Sequence, residues 1–494
     1  MKKILNFLLV AFLVGAMGSC QKSDYDSITS DEPGLKSAAN GQTSYIVTFS
    51  ENFLDEELIG SAGYQGRQQA MQVAAEQSLQ SAGVFGAEIE FVYSTAIKGF
   101  SVKMPPNQLR KLEQNAAVIR IEENKPVGLL EPIGRVVWKA SISTASIQTL
   151  PWGIGRVKGG INYQGSNAVW VIDSGIELNH PDLNVDLTRS ATFIANTSPT
   201  DQNGHGTHVA GIIAARNNDF GVVGVAAGAP LISVRVLDSA AKGTLAGVIA
   251  GVDYVAAHAK AGDVANMSII GGASDALDQA VLNASEKCYF ILAAGNNGAS
   301  ATLYSPARVN GPNIYTVSAM GTNDTWASYS NFGNPPVDYC APGTSIYSTF
   351  LNGGYATLSG TSMAAPHVAG ILLLGYLKTD GLVIGDPDGK PDPIAIYGGS
   401  ASEPEIPNPG DGGTYTITLS VNSFKDKGLR TAILSWTGGK PGASATIYRN
   451  DLPIASVTND SYGNGSYTDN LERLGGFMTY KVCDVSCSNE IKVK

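Results

Sequence analysis

Gly360-Thr361-Ser362-Met363-Ala364-Ala365-Pro366-His367-Val368-Ala369-Gly370 reads as a turn running into a helix. Gly360 and Thr361 make the turn, and small apolar residues follow at helical spacing. Pro366 is expected early in the helix, where its missing N–H falls among donors that have no intrahelical partner. Ser362 then stands at the helix start, where free backbone N–H groups and the positive dipole end favour a developing negative charge. Such a position suits a nucleophile and part of an oxyanion hole. Taken alone, the stretch is equally a helix capped by Ser or Thr, so other parts of the chain must supply partners.

Upstream, Ala168-Val169-Trp170-Val171-Ile172 is a continuous apolar strand ending at Asp173-Ser174-Gly175. Gly204-His205-Gly206-Thr207-His208 leads into an Ala/Ile-rich helix. Further strands are expected at 231–237, 264–270 and 289–294, the last closing on Gly295-Asn296-Asn297-Gly298, with helices at 245–259 and 276–287. Alternation of this kind predicts a doubly wound α/β domain over 151–395, with ligands at the carboxyl ends of the strands. Asp173, His205, Asn296 and Ser362 all fall at such strand ends or helix starts.

These four motifs, in this order, resemble those of the subtilisin-like serine peptidases, the proteinase K-like members most closely. The resemblance implies that Ser362 attacks the scissile carbonyl, that His205 takes and returns the proton, and that Asp173 orients the imidazole. The Asn296 amide and the Ser362 N–H would bind the oxyanion. His208 and His367 are expected to be packing residues, His180 part of a loop, and His258 a helix-surface residue.

The family pairs substrate with an extended strand, β-augmentation in its general form. Here that stretch reads Asn266-Met267-Ser268-Ile269-Ile270-Gly271-Gly272, one residue longer than the family's Asn-Met-Ser-Leu-Gly-Gly. The extra residue is expected to form a bulge that moves the specificity pocket, with Gly271 and Gly272 on one wall and Ala293, Ala294 and Gly295 on the other. An open apolar pocket fits hydrophobic or aromatic side chains. Proteinase K-like members also bind calcium through two carbonyls and a carboxylate; the matching positions are Pro312, Ile314 and Asp338, and oxygen-only ligation suits that ion. Asp386, Asp388 and Asp392, interrupted by Pro387 and Pro391, read as a rigid exit linker.

The flanks add an address and two more folded units. Lys2 and Lys3 precede a short apolar run and then Gly15-Ala16-Met17-Gly18-Ser19-Cys20, so residues 1–20 resemble a bacterial lipoprotein signal with Cys20 as the lipidated residue. Residues 21–41 form a polar tether. Residues 42–125 show a β-α-β-β-α-β order, a ferredoxin-like pattern, in the place of the family's inhibitory propeptide. Residues 126–150 read as an exposed processing linker, with the cut expected toward its C-terminal part. A lipid on Cys20 would therefore anchor the propeptide and leave the matured enzyme free. After a Pro/Gly-rich linker, 396–413, residues 414–494 alternate as short strands of an all-β sandwich resembling a fibronectin type III module, with Cys483 and Cys487 forming a disulfide. Cys288 and Cys340 are expected to be buried singly.

The balance of 43% hydrophobic and 15% charged residues is that of a globular protein, and a net charge of −10 with no dense Lys/Arg block speaks against nucleic-acid binding. No His/Glu pair at ligand spacing supports metal-dependent hydrolysis. Intact catalytic positions speak against an inactive surface protein. The sequence thus predicts an exported, monomeric serine endopeptidase of proteins and peptides, needing no catalytic cofactor, held by its own propeptide and matured by autoprocessing.

Overall fold

The computed structural model describes residues 41–50, 53, 63–129, 148–399 and, apart from short gaps, 417–493. Cys20 and residues 21–40 of the tether lie outside these residues, as do 130–147 and most of the second linker. Among the described residues no helix is long and apolar enough to cross a membrane.

A nine-stranded sheet forms the centre. Its order is Leu377–Leu382, Pro393–Tyr397, Val337–Pro342, Ile314–Met320, Tyr289–Ala293, Val264–Met267, Val169–Asp173, Leu231–Arg235 and Ala191–Thr192. All neighbours pair in parallel except the first strand, which is antiparallel to the second. Parallel strands covered on both faces must be apolar throughout, and every residue of Val169–Asp173 and Leu231–Arg235 is buried. One face carries helices His205–Ala214 and Thr361–Leu374, and the other carries Leu245–His258 and Asp275–Ala284. The chain leaves Val169–Asp173 toward one side of the sheet and later returns to its other side at Val264–Met267. That switch in strand order opens a crevice at the carboxyl ends.

The sheet runs to Tyr397, past the expected boundary at 395. Asp386, Asp388 and Asp392 do not open an exit linker. They lie between the antiparallel edge strand and Pro393–Tyr397, where Cys340 pairs with Ile394. Cys288 and Cys340 are buried and unpaired.

The N-terminal unit is a four-stranded antiparallel sheet in the order Glu88–Tyr93, Gly99–Met104, Thr43–Phe49, Val118–Glu123. Helix Tyr64–Ser81 packs on it through Met71, Ala74, Ala75 and Leu79, and the second helix is short, Leu109–Glu113. Ile46, Tyr93, Ala96 and Ile97 join the apolar cluster of the two central helices Leu245–His258 and Asp275–Ala284. Two carboxylates cross this interface in opposite directions. Asp253, on the central side, accepts from the backbone N–H groups of Ser94, Thr95 and Ala96 at 3.1, 2.7 and 2.8 Å, and from Gln68 Nε2 at 3.0 Å. Glu122, on the N-terminal side, accepts from Ser274 Oγ at 2.7 Å and Ala276 N–H at 2.8 Å, at the start of helix Asp275–Ala284, where free N–H groups favour an anion.

Residues 126–128 are not linker. Pro126–Gly128 is a strand between Lys242–Thr244 and Ile270–Gly272, antiparallel to both, with Tyr304–Ser305 completing the small sheet.

Residues 417–493 form two antiparallel sheets. One contains Thr418–Asp426, Leu429–Thr437 and Gly465–Glu472; the other contains Leu452–Thr458, Ser444–Arg449, Met478–Cys483 and Ile491–Val493. Trp436, Leu434, Ile447 and Tyr480 from the two sheets share one core, and the Trp436 indole donates to Asn459 Oδ1 at 2.8 Å. Cys483 and Cys487 are disulfide-bonded.

Candidate active site

Asp173 is fully buried at the end of its strand. Its Oδ1 accepts the Ser174 N–H at 2.7 Å, and its two oxygens face His205 Nδ1 at 2.9 and 3.0 Å. A carboxylate can only accept, so Nδ1 carries the ring proton and Nε2 is left with a free lone pair. The approach needs glycine at 206, where a Cβ would stand 2.0 Å from the Gly175 carbonyl oxygen and 3.2 Å from Asp173 Cβ. Buried Asp201 organises the same turn. One of its oxygens accepts from Ser174 Oγ and the N–H groups of Asn203 and Gly204, and the other accepts from Thr207. Burial raises the Asp201 carboxyl against the pull of those bonds.

The other buried histidines are held neutral. Burial pushes His208 down to about 3 and His367 down to about 4. His208 Nε2 lies 3.1 Å from two backbone carbonyls, and His367 Nδ1 bonds the Met363 carbonyl at 2.8 Å. His180 is buried in its loop and His258 is exposed.

Ser362 is the second residue of helix Thr361–Leu374. Pro366 lies beyond the first turn rather than within it, so its missing N–H deprives the Ser362 carbonyl of its regular i+4 donor. Ser268 Oγ supplies the substitute, donating to that carbonyl at 3.0 Å. Ser362 Oγ in turn donates to the Ser268 carbonyl at 3.3 Å. Among the described residues no hydrogen bond joins Ser362 to His205. A turn about χ1 would carry Oγ away from the Ser268 carbonyl.

Asn296 is oriented by Thr361. Its Oδ1 accepts from both the N–H and the Oγ of Thr361 at 2.8 Å, and Thr361 Oγ1 also accepts the Gly295 N–H at 3.0 Å. With the oxygen engaged, the amide nitrogen faces away, near Gly360, where a Cβ would stand 3.0 Å from it. Asn331 braces the same loop, accepting from the N–H groups of Asn297 and Ala299 and donating to the Ala294 carbonyl. Thr361, Ser268, Asn331 and Asp201 escaped the sequence reading. Thr361 and Ser268 sit inside stretches already singled out, and their side-chain chemistry was the one signal on offer.

The expected bulge does not fall at residues 270–272. Ile270 pairs with Gly128 and Gly271 with Val127, while Gly271 and Gly272 pair with Ser305 and Tyr304, all one to one without a shift. Ile270 takes a regular strand position. Gly271 lies beneath the Pro126–Gly128 strand, where a Cβ would meet Val127 at 2.8 Å, and Gly272 has open space beside it. Ala293 and Ala294 are buried, and Gly295 is left-handed with φ 107°.

Asp338 sits on the strand beside Ile314–Met320, and its Oδ2 accepts the Thr316 N–H at 2.8 Å. Burial, reinforced by the charge of Asp392, pushes its carboxyl up to about 7. No Lys, Arg or His pairs with it among the described residues, and the oxygen-only donor set that the resemblance implies would include this carboxylate. No cluster of three or more acidic, His or Cys side chains suits a metal among those residues; such a site would rest on carbonyls and this one carboxylate.

Residues 166–380 match the Subtilase family and residues 44–130 match Peptidase inhibitor I9. The chain is 37% identical over 352 residues to the "Alkaline serine exoprotease A" of Vibrio alginolyticus, covering 69% of this chain and 61% of that protein. It is 36% identical over 384 residues to the "Extracellular serine proteinase" of Thermus sp. (strain Rt41A), covering 75% and 89%. To the "Cuticle-degrading protease" of Metarhizium anisopliae it is 35% identical over 311 residues, covering 59% and 74%. The crevice with its Asp–His pair, the helix-start serine and the inhibitor-like unit that precedes them have a common source: this chain belongs to the subtilase family of serine endopeptidases.

Proposed function

We propose that Asp173, His205 and Ser362 form the catalytic triad, that Asn296 and the Ser362 N–H bind the oxyanion, and that the enzyme cuts its own propeptide free. The observation that supports this is the buried Asp173–His205 bond, together with the Pro126–Gly128 strand that pairs with Ile270 and Gly271, close in sequence to the Ser268 that bonds Ser362. Ser362 Oγ would leave the Ser268 carbonyl, pass its proton to His205 Nε2 and attack the scissile carbonyl. The negative oxygen of the tetrahedral adduct would meet the Asn296 amide and the Ser362 N–H. His205 would then protonate the leaving amine, and water would release the acyl group by the reverse sequence.

The register also supports a position for the cut. In the antiparallel pairing Gly128 stands opposite Ile270, so a peptide in the same register brings its next residue but one level with Ser268, beside the nucleophile. Counted along the sequence, that residue is Leu130, which lies outside the described residues. The first cut then follows Leu130, earlier than expected for this segment, and substrates carry an apolar residue before the scissile bond.

Further parts of the reading are export through residues 1–20, a lipid on Cys20 that anchors the propeptide, a monomeric enzyme, and a fibronectin type III-like module at 414–494. For calcium, the Pro312 and Ile314 carbonyls with Asp338 would hold the ion, which would stabilise the fold by neutralising a partly buried carboxylate. Chelation should lower the Tm of wild type and leave that of Asp338→Asn unchanged; equal loss in both would remove Asp338 from the site.

The central test is intact mass, N-terminal sequencing and membrane fractionation of wild type beside Ser362→Ala. Wild type should show a new N-terminus at residue 131 and a soluble mature chain, while Ser362→Ala stays full length and membrane-bound. Cleavage in both would mean that another protease does the processing.

A further inference from the structure

We propose that Ile270 closes the pocket for the side chain that precedes the scissile bond, so that compact aliphatic side chains enter and aromatic rings do not. This narrows the proteolytic reading above, on which it rests.

Two chain segments bound that pocket. One runs from Val264–Met267 through Ser268 to Ile270–Gly272. The other runs from Tyr289–Ala293 through Ala294 and Gly295 to Asn296. Their parent strands are neighbours in the sheet, with Met267 opposite Leu292, so the segments leave side by side. Both end at the chemistry: Ser268 exchanges hydrogen bonds with Ser362, and Asn296 is fixed by Thr361. A substrate in the register of Pro126–Gly128 sets the residue before the cut level with Ser268, and the gap between the two segments is the space its side chain can enter.

Ile270 occupies that gap. It is 8% exposed, and its Cδ1 lies 2.6 Å from the point where a Cβ on Gly295 would stand. The side chain thus crosses from one wall to the other and rests on the backbone of the residue before Asn296. It cannot readily swing aside. A β-branched side chain is stiff at χ1, the next residue is held by its pairing with Ser305, and a substrate in the register of Gly128 would pair with Ile270 itself. A flat ring needs an open slot between two backbones, and here a branched alkyl group spans it. The bulk is confined to one position, since residues 271 and 272 are glycines. The chain's own junction agrees: Leu129 and Leu130 follow Gly128 in the sequence.

Pockets discriminate by roughly 10- to 200-fold for a methylene's worth of shape, and a ring against a filled slot should exceed the lower figure. The test uses autoprocessed wild type, Ile270→Gly and Ile270→Ala with three anilide peptides identical except for Ala, Leu or Phe before the anilide. Active sites are counted in each preparation by fluorophosphonate labelling of Ser362. Wild type should favour Leu over Phe by at least about tenfold in kcat/KM, and Ile270→Gly should lower that ratio by at least about tenfold, with Ile270→Ala between. A labelled wild type that cuts Phe as fast as Leu, or a labelled Ile270→Gly with the wild-type ratio, would overturn the role of Ile270 while leaving the enzyme reading intact. Wild type that takes no label and cuts no peptide would overturn both.

Discussion

Thr361 does for Asn296 what Asp173 does for His205: it settles which way the working group faces. Replacing Thr361 by Val removes the hydroxyl that donates to Asn296 Oδ1 and leaves the buried Gly295 N–H without its acceptor. Each lost bond is worth about 0.5–1.5 kcal/mol. Thr361→Val should therefore lower kcat on a small peptide by roughly tenfold with little change in KM, and Thr361→Ser should restore it; an unchanged kcat would show that the Thr361 N–H alone positions the amide. The residues proposed to face the chemistry are legible because each stands in a short motif with glycines beside it. Those that position them are not, because Thr361, Asn331 and Ser268 act on partners far away in sequence. Pro366 was misplaced for a different reason. The helix starts at Thr361, so the proline falls past the first turn, and the carbonyl it frees becomes the link between Ser362 and Ser268.

The same limit applies to elements. Long apolar strands and the helices between them could be read from pattern because their burial repeats along the chain. Pro126–Gly128 has no pattern to read; it is a strand only because Lys242–Thr244 and Ile270–Gly272 offer free edges to it. Ile270 reads as an insertion by motif spacing, yet it pairs one to one with Gly128. Helix Leu245–His258 carries a further device that sequence alone conceals. Asp253 is completely buried, and its partners all belong to the N-terminal unit. Burial pushes its carboxyl up to about 6 even though those donors pull the other way. Asp253→Ala should weaken the grip of the propeptide by at least about 100-fold, since bonds to a charged acceptor are worth about 1.5–3 kcal/mol each. The measurement is the inhibition constant of separately added residues 42–130 against mature wild-type and variant enzyme. An equal constant for both would leave the attachment to the apolar contacts of Ile46, Tyr93, Ala96 and Ile97, the Glu122 bonds and the pairing of Pro126–Gly128.

At the scale of the molecule, the order of units was readable: an α+β unit, an α/β unit and a β unit, each with its own hydrophobic periodicity. Their junctions were not, because a boundary is set by the last residue that pairs, as Tyr397 does, and not by where prolines and acidic residues begin. One junction has a consequence in time. Since Pro126–Gly128 belongs to the same polypeptide as the cleft it fills, blocker and enzyme are produced one to one, at an effective concentration that a separate molecule does not reach. A cut that leaves the strand in place liberates nothing. On the proposed reading the first free molecule would arise when some propeptide is destroyed, and each free molecule would then destroy the blockers of its neighbours. Activity in a population should begin with a lag, accelerate, and start at once when a trace of matured enzyme is added.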